Sequence, residues 1–264
     1  MSGVAAAAVR DRSEIDDENV PAVRLDHVTK SFGGRLVLDD ISLDVRRGQG
    51  FVILGRSGTG KSVTLRHIIG LTRPDRGRVF VNGEEISALS GEALARARRQ
   101  IGFLFQSAAL FDSLSVGENV AFPMRRYTKL SDREIHDRVV AKLESVSLAG
   151  EYDKMPAELS GGMRKRAGLA RAMALDPALL LVDEPSAGLD PITSEEIDQL
   201  LLDLKQRERA TFIVVTHNIP SARKLGDELV MLHEGRIAAR GTVAELESSD
   251  DPMVRAFMAS THAG

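Results

Sequence analysis

The chain has no cysteine among its 264 residues, which excludes a disulfide framework and a thiolate metal centre and fits a reducing compartment. It has no apolar run near the ~20 residues of a membrane-spanning helix, so a role at a membrane has to come through a partner chain. An excess of one charge is missing too. The 35 Lys and Arg face 38 Asp and Glu, for a formal charge of -3 and a pI near 6.1, and without a basic field nucleic acid is not an expected partner. Nor is there a basic segment ahead of an apolar core, as a signal peptide requires. Residues 1–20 hold the run Ala5-Ala6-Ala7-Ala8 and then a mixed-charge stretch from Arg10 to Glu18, and read as a disordered leader. There is no internal repeat, and no low-complexity segment beyond the alanines.

What is present is alternating strand and helix signal. Between Val23 and Val81 the sequence is strand-rich, with turns at Gly33-Gly34, Arg47-Gly48 and Asn82-Gly83. From about Ser90 the pattern turns helical: Ile135, Val139, Leu143 and Val146 share one face, and Ser131 with Glu134 makes a capping box. Leu179-Leu180-Leu181-Val182 and Phe212-Ile213-Val214-Val215 are continuous apolar runs, as expected of parallel strands covered on both sides. Between them Asp190 and Pro191 open a helix at N-cap and N1, with Ile197, Leu200, Leu201 and Leu204 as its apolar stripe. The expected fold is α/β.

The most specific segment is Gly55-Arg56-Ser57-Gly58-Thr59-Gly60-Lys61-Ser62, which follows the apolar run Phe51-Val52-Ile53-Leu54. This is a phosphate-binding P-loop in the strand context it needs. Its glycines let backbone N–H groups turn toward phosphate oxygens, and a helix over about residues 61–70, including Val63, presents its positive end. Lys61 is expected to reach the β- and γ-phosphates and Ser62 to bind Mg²⁺. The run at Leu179 ends in Asp183-Glu184, two acids at the carboxyl edge of the sheet, where open α/β folds bind ligands. Asp183 suits the Mg²⁺ shell, and Glu184 suits a general base for attack on the γ-phosphate. His217 follows the next apolar strand and is placed to donate a hydrogen bond to the γ-phosphate or the attacking water. A second glycine loop, Leu159-Ser160-Gly161-Gly162, precedes a helix beginning near Met163 and forms another anion site.

Together with Gln106 after Gly102-Phe103-Leu104-Phe105, and Ser186-Ala187-Gly188-Leu189-Asp190, these segments resemble the ATP-binding cassette (ABC) ATPases over roughly residues 23–241. The resemblance implies a P-loop NTPase of ABC type, with a mostly parallel core sheet, an N-terminal antiparallel β region and a helical subdomain at about residues 90–175. The cassette would span residues 21–245, followed by a short tail at 246–264. Gln106 would contact nucleotide and metal, Asp190 would lie beside the nucleotide, and Phe32 would stack on adenine. Ser160, Gly161 and Gly162 would close over ATP held by a second copy, making a homodimer glued by ATP. A kinase would share the P-loop but has no reason to carry the second glycine loop.

With one cassette and no membrane segment, the resemblance points to a bacterial transporter whose permease is a separate chain. Met163 after Leu159-Ser160-Gly161-Gly162, Asp190-Pro191-Ile192-Thr193, and Asp251-Pro252-Met253-Val254-Arg255-Ala256-Phe257 are similar to the ATPases of Mce-type lipid transporters, the Mla group. That implies phospholipid transport, a peripheral position on the cytoplasmic face of the inner membrane, an MCE-domain partner and a small STAS-type accessory protein. An importer ATPase for polar solutes such as amino acids is the alternative. Leu110, Phe111, Leu114 and Val116 are expected to line a groove for a permease helix.

Overall fold

The structure, a computed structural model, describes residues 20–208 and 210–260. The expected leader lies outside them except for Val20. Strands β1 (Val23–Phe32) and β2 (Arg35–Val45) form a hairpin turning at Gly33-Gly34, and β3 (Gly50–Leu54) leads into helix α1 (Lys61–Ile68). Then come β4 (Arg76–Val81), β5 (Glu84–Glu85), α2 (Gly91–Arg98) and β6 (Ile101–Leu104). Helices α3 (Val116–Tyr127), α4 (Asp132–Ser145) and α5 (Gly161–Ala172) pack on one another. The chain continues through β7 (Leu179–Asp183), α6 (Pro191–Glu208), β8 (Thr211–Thr216), α7 (Ile219–Leu225), β9 (Glu228–His233), β10 (Arg236–Gly241), α8 (Val243–Glu247) and α9 (Pro252–Ala259).

Two sheets result. An antiparallel one has the order β2-β1-β4-β5, and a six-stranded one the order β10-β9-β3-β8-β7-β6, parallel except for β10 at its edge. Successive side chains of a strand point to opposite faces, and here both faces are covered. Phe51, Ile53, Leu181, Ile213 and Val215 face a core shared with α1 and the antiparallel sheet, while Val52, Leu54, Val182, Phe212 and Val214 face one shared with the helices from α3 onward. This is why β3, β7 and β8 are buried along their whole length and read as unbroken apolar runs. Because β3, β8 and β7 are neighbours, the segments leaving their carboxyl ends meet.

Some boundaries differ from expectation. Helix α1 stops at Ile68, short of Gly70, whose φ of 70° is a left-handed terminus. Helix α5 begins at Gly161 rather than near Met163, because the Ser160 hydroxyl accepts from the Met163 N–H at 3.2 Å and pulls both glycines into the first turn. Residues 90–175 also contribute β6 to the core sheet. The division at residue 245 falls inside α8, and α9 buries Val254, Phe257 and Met258 against the main core.

Candidate active site

The P-loop arches between β3 and α1. Gly60, the N-cap of α1, has φ 99°, and a Cβ there would lie 2.6 Å from Leu38 Cδ2 and 2.9 Å from the Val37 carbonyl. Only glycine fits both the dihedral and the space. Arg56, Ser57 and Gly58 are exposed, and the Thr59 hydroxyl closes the loop on the Arg56 carbonyl at 2.9 Å. Lys61 is buried; its Nζ donates to the Gly55 carbonyl at 2.8 Å and the Arg56 carbonyl at 3.2 Å, and lies 3.3 Å from Glu184 Oε1. Ser62 Oγ donates to Asp183 Oδ1 at 2.8 Å. Val63 is half-buried, and its carbonyl accepts from His67 Nδ1 at 2.7 Å.

Asp183 and Glu184 are both buried, at 6% and 7% exposure. Burial pushes the Asp183 carboxyl above its ordinary range, and the Ser62 hydroxyl works against that shift. Glu184 has φ 46° and is fixed by its N–H bond to the Val215 carbonyl at 2.9 Å. Its Oε2 lies 2.9 Å from His217 Nδ1, a close approach without hydrogen-bond alignment, and accepts from the His217 N–H at 3.3 Å. The Glu184 carboxylate is thus held between Lys61 on one side and His217 on the other.

Gln106 is exposed just beyond β6, and with Ser62 and Asp183 it borders one cavity of about 520 Å³. That donor set provides one hydroxyl, one carboxylate and one amide. No cluster of three or more His, Cys, Asp or Glu side chains able to hold a metal occurs among the described residues. Such a site leaves most coordination positions to phosphate and water oxygens, the pattern Mg²⁺ favours.

The other expected residues lie further out. Asp190 caps α6, accepting from the N–H groups of Ile192 and Thr193 and from the Thr193 hydroxyl; the hydroxyl bond, first among these, holds its carboxyl below the ordinary range. Gly162 has a packing reason that the sequence did not show: a Cβ there would lie 2.5 Å from Thr193 Cγ2, so glycine lets α5 approach α6. Phe32, 47% exposed, ends β1 at the hairpin whose second strand presses Val37 and Leu38 onto Gly60, with Lys30 Nζ 5.3 Å from its ring centroid. Of the expected groove residues, Val116 is buried in the core and Leu110 packs against it, whereas Phe111 is 46% exposed.

Among the buried polar residues that escaped the sequence reading are Lys165 and Asn119. Lys165 donates from α5 to the backbone carbonyls of Gln106 and Glu184. Asn119, fully buried, accepts from the Phe111 N–H at 2.8 Å and donates to the Phe111, Leu114 and Ser115 carbonyls. The available signal for Lys165 was its spacing: it lies on the same helical face as Gly162 and Leu169, where an apolar residue is expected.

The family model for ABC transporters matches residues 38–187. The chain belongs to the ABC transporter family. It is an ATP-binding cassette that hydrolyses ATP. Among its relatives, the probable ribonucleotide transport ATP-binding protein mkl of Mycobacterium leprae (strain TN) is 45% identical over 237 residues, which are 90% of this chain and 68% of that protein. The intermembrane phospholipid transport system ATP-binding protein MlaF of Escherichia coli (strain K12) is 42% identical over 226 residues, 86% of this chain and 84% of MlaF. The MlaF match bears out the Mla resemblance carried by Met163 and its neighbours. Among solved structures, the dimeric ATP-binding cassette MJ0796, in a post-hydrolysis state bound to ADP and Pi, gives a TM-score of 0.78 at 33% identity, covering 83% of this chain and 98% of that one. No helix among the described residues is long and apolar enough to cross a membrane.

Proposed function

We propose that this cassette powers a separate membrane permease that moves phospholipid between membranes, working as a homodimer closed by ATP. The observation that carries the ATPase mechanism is the Glu184 carboxylate fixed between Lys61 and His217, with the Ser62–Asp183 pair alongside. Gly55, Gly58 and Gly60 open the P-loop backbone toward phosphate oxygens, and Arg56, Ser57 and Thr59 complete the loop. Lys61, on moving to the β- and γ-phosphates, releases Glu184 Oε1 to take a proton from the attacking water. His217 orients that carboxylate and donates to the γ-phosphate. Ser62, Asp183 and Gln106 would hold Mg²⁺, which would supply charge neutralisation at the phosphates. Ser160, Gly161 and Gly162 serve the nucleotide of the other copy, as the dimeric state named for the MJ0796 cassette supports. Asp190 lies at that interface, and Phe32 stacks on adenine.

Support for the permease contact comes from a groove of about 370 Å³ walled by Phe111, Phe122 and Tyr127. The rings of Phe111 and Phe122 lie 5.1 Å apart, and the Arg99 and Arg171 guanidiniums sit over Tyr127 and Phe111. Apolar walls with a cationic rim suit a short amphipathic helix. An MCE-domain protein and a STAS-type accessory chain complete the assembly, on the cytoplasmic face of the inner membrane. MlaF, named for phospholipid, supports the lipid substrate; the name of mkl favours the polar-solute reading, with ribonucleotides in place of amino acids. Proteoliposomes carrying the cassette with its permease decide between them: ATP-dependent transfer of labelled phospholipid is expected, and ATP-dependent uptake of a labelled ribonucleotide without lipid transfer would replace it.

A further inference from the structure

We propose that Lys165 is a positioning residue for Glu184, tying the helix behind Ser160–Gly162 to the backbone that aims the water-activating acid. The inference rests on Glu184 being that acid.

Lys165 lies in the second turn of α5 and is only 6% exposed. An ammonium buried to that degree needs strong acceptors. Its Nζ bonds the Glu184 carbonyl at 3.1 Å and makes a short bond to the Gln106 carbonyl. These two carbonyls stand just past the ends of adjacent strands, β7 and β6, where the ladder no longer supplies partners. Glu184 itself has φ 46°, a left-handed conformation that a residue with a Cβ adopts only when its surroundings hold it there. The Val215 carbonyl fixes its N–H and Lys165 its carbonyl, so both peptides flanking Glu184 are anchored before the carboxylate reaches Lys61 and His217.

The same helix grips the segment after Gln106 a second time, through Arg171 to the carbonyls of Ala108 and Ala109, which also have positive φ, 61° and 49°. One helix therefore carries the Ser160 cap at its start and the anchor of Glu184 five residues later, about 7.5 Å along the axis. Lys165 acts on the chemical step through the Glu184 backbone and leaves the phosphate cradle untouched. A carboxylate displaced by an ångström lowers the rate on the order of a hundredfold without changing ground-state binding.

The test uses the full chain. Lys165→Met keeps the apolar stem and removes the donors; it is expected to bind ATP within about threefold of wild type, keep KM within the same range and lose kcat by tenfold to a hundredfold. Lys165→Arg, which retains donors for both carbonyls, should recover most of that loss. In a Glu184→Gln background, single-turnover hydrolysis should fall less than about threefold further when Lys165→Met is added, because the acid it aims is already gone. The double variant should still form the ATP-bound dimer, showing that α5 is intact. A Lys165→Met kcat within twofold of wild type, or an equal fractional loss with and without Glu184, overturns the proposal. Should Lys165→Met fail to fold, Lys165→Gln, whose amide reaches one carbonyl at most, carries the same kcat criterion. Failure of Glu184 as the acid is visible separately, in Glu184→Gln alone.

Discussion

Ser62 Oγ and Asp183 Oδ1, 121 positions apart in the chain, are joined by a 2.8 Å hydrogen bond. The first residue lies in the first turn of α1 and the second ends β7, so the bond joins the two halves of the site. Ser62→Ala removes a hydroxyl that serves Asp183 and, in the proposed reading, the metal. Loss of one charge-assisted partner corresponds to roughly tenfold to hundredfold in affinity, so the Mg²⁺ needed for half-maximal hydrolysis should rise by about that factor. Titrating Mg²⁺ at saturating ATP checks it; an unchanged midpoint places the metal elsewhere.

Glu184→Gln keeps the shape and the approach to Lys61 but removes the base. Turnover should fall about a hundredfold or more, while ATP still binds and an ATP-bound dimer accumulates on gel filtration. Hydrolysis above about a tenth of the wild-type rate would remove Glu184 from the role of base.

Lys61→Ala takes away a cationic phosphate contact present in the ground state, so ATP affinity itself should drop. Ser160→Arg should leave monomer binding intact and block closure with bulk and charge at the first turn of α5. Mixed together, the two inactive proteins can assemble one composite site from intact halves, and activity should reappear. If mixed dimers form and stay inactive, the sites are not completed in trans.

Phe111 is held by Asn119 at both its N–H and its carbonyl, and presents its ring beside Phe122. Because that ring is 46% exposed, Phe111→Asp should fold and hydrolyse ATP normally in isolation. Co-purification with the permease and lipid movement should be lost. A variant that keeps both takes the groove out of the coupling path.

Asp198 on α6 is 3% exposed and accepts from the Ser221 hydroxyl at 2.6 Å. Burial pushes its carboxyl up to about 6 from an ordinary 3.8, against the Ser221 bond and nearby Lys224, with Glu195 adding to the rise. A raised acid pKa means that the folded state binds more protons than the unfolded between those values, so this group's contribution to stability falls as pH rises from about 4 through 6. The shift corresponds to on the order of 3 kcal/mol. Asp198→Asn should therefore gain stability over wild type at pH 7.5 and lose the advantage by pH 4.5, read from denaturant melts at both pH values. An advantage independent of pH would refute the assignment.

The sequence by itself determined the elements that depend on neighbours in the chain. The P-loop needs a fixed spacing of glycines, the capping box at Ser131 and Glu134 needs only a helical turn, and doubly covered strands must be apolar throughout; each was legible, as was the pairing of Asp183 with Glu184. The tertiary structure decided what depends on approach between distant segments. Gly162 is required by Thr193, a residue of another helix, and the first turn of α5 absorbed both glycines through a cap whose geometry a one-dimensional pattern leaves open. Val116 read as a groove residue because an apolar side chain near a loop looks the same whether it faces solvent or core, and only packing of α3 against α5 sent it inward. Lys165, hinted at only by its place on the Gly162–Leu169 face, went unread for a related reason. A lysine on a helix ordinarily reaches water, and what makes this one buried and bonded is the arrival of two strand ends, β6 and β7, whose order in the sheet no local segment encodes.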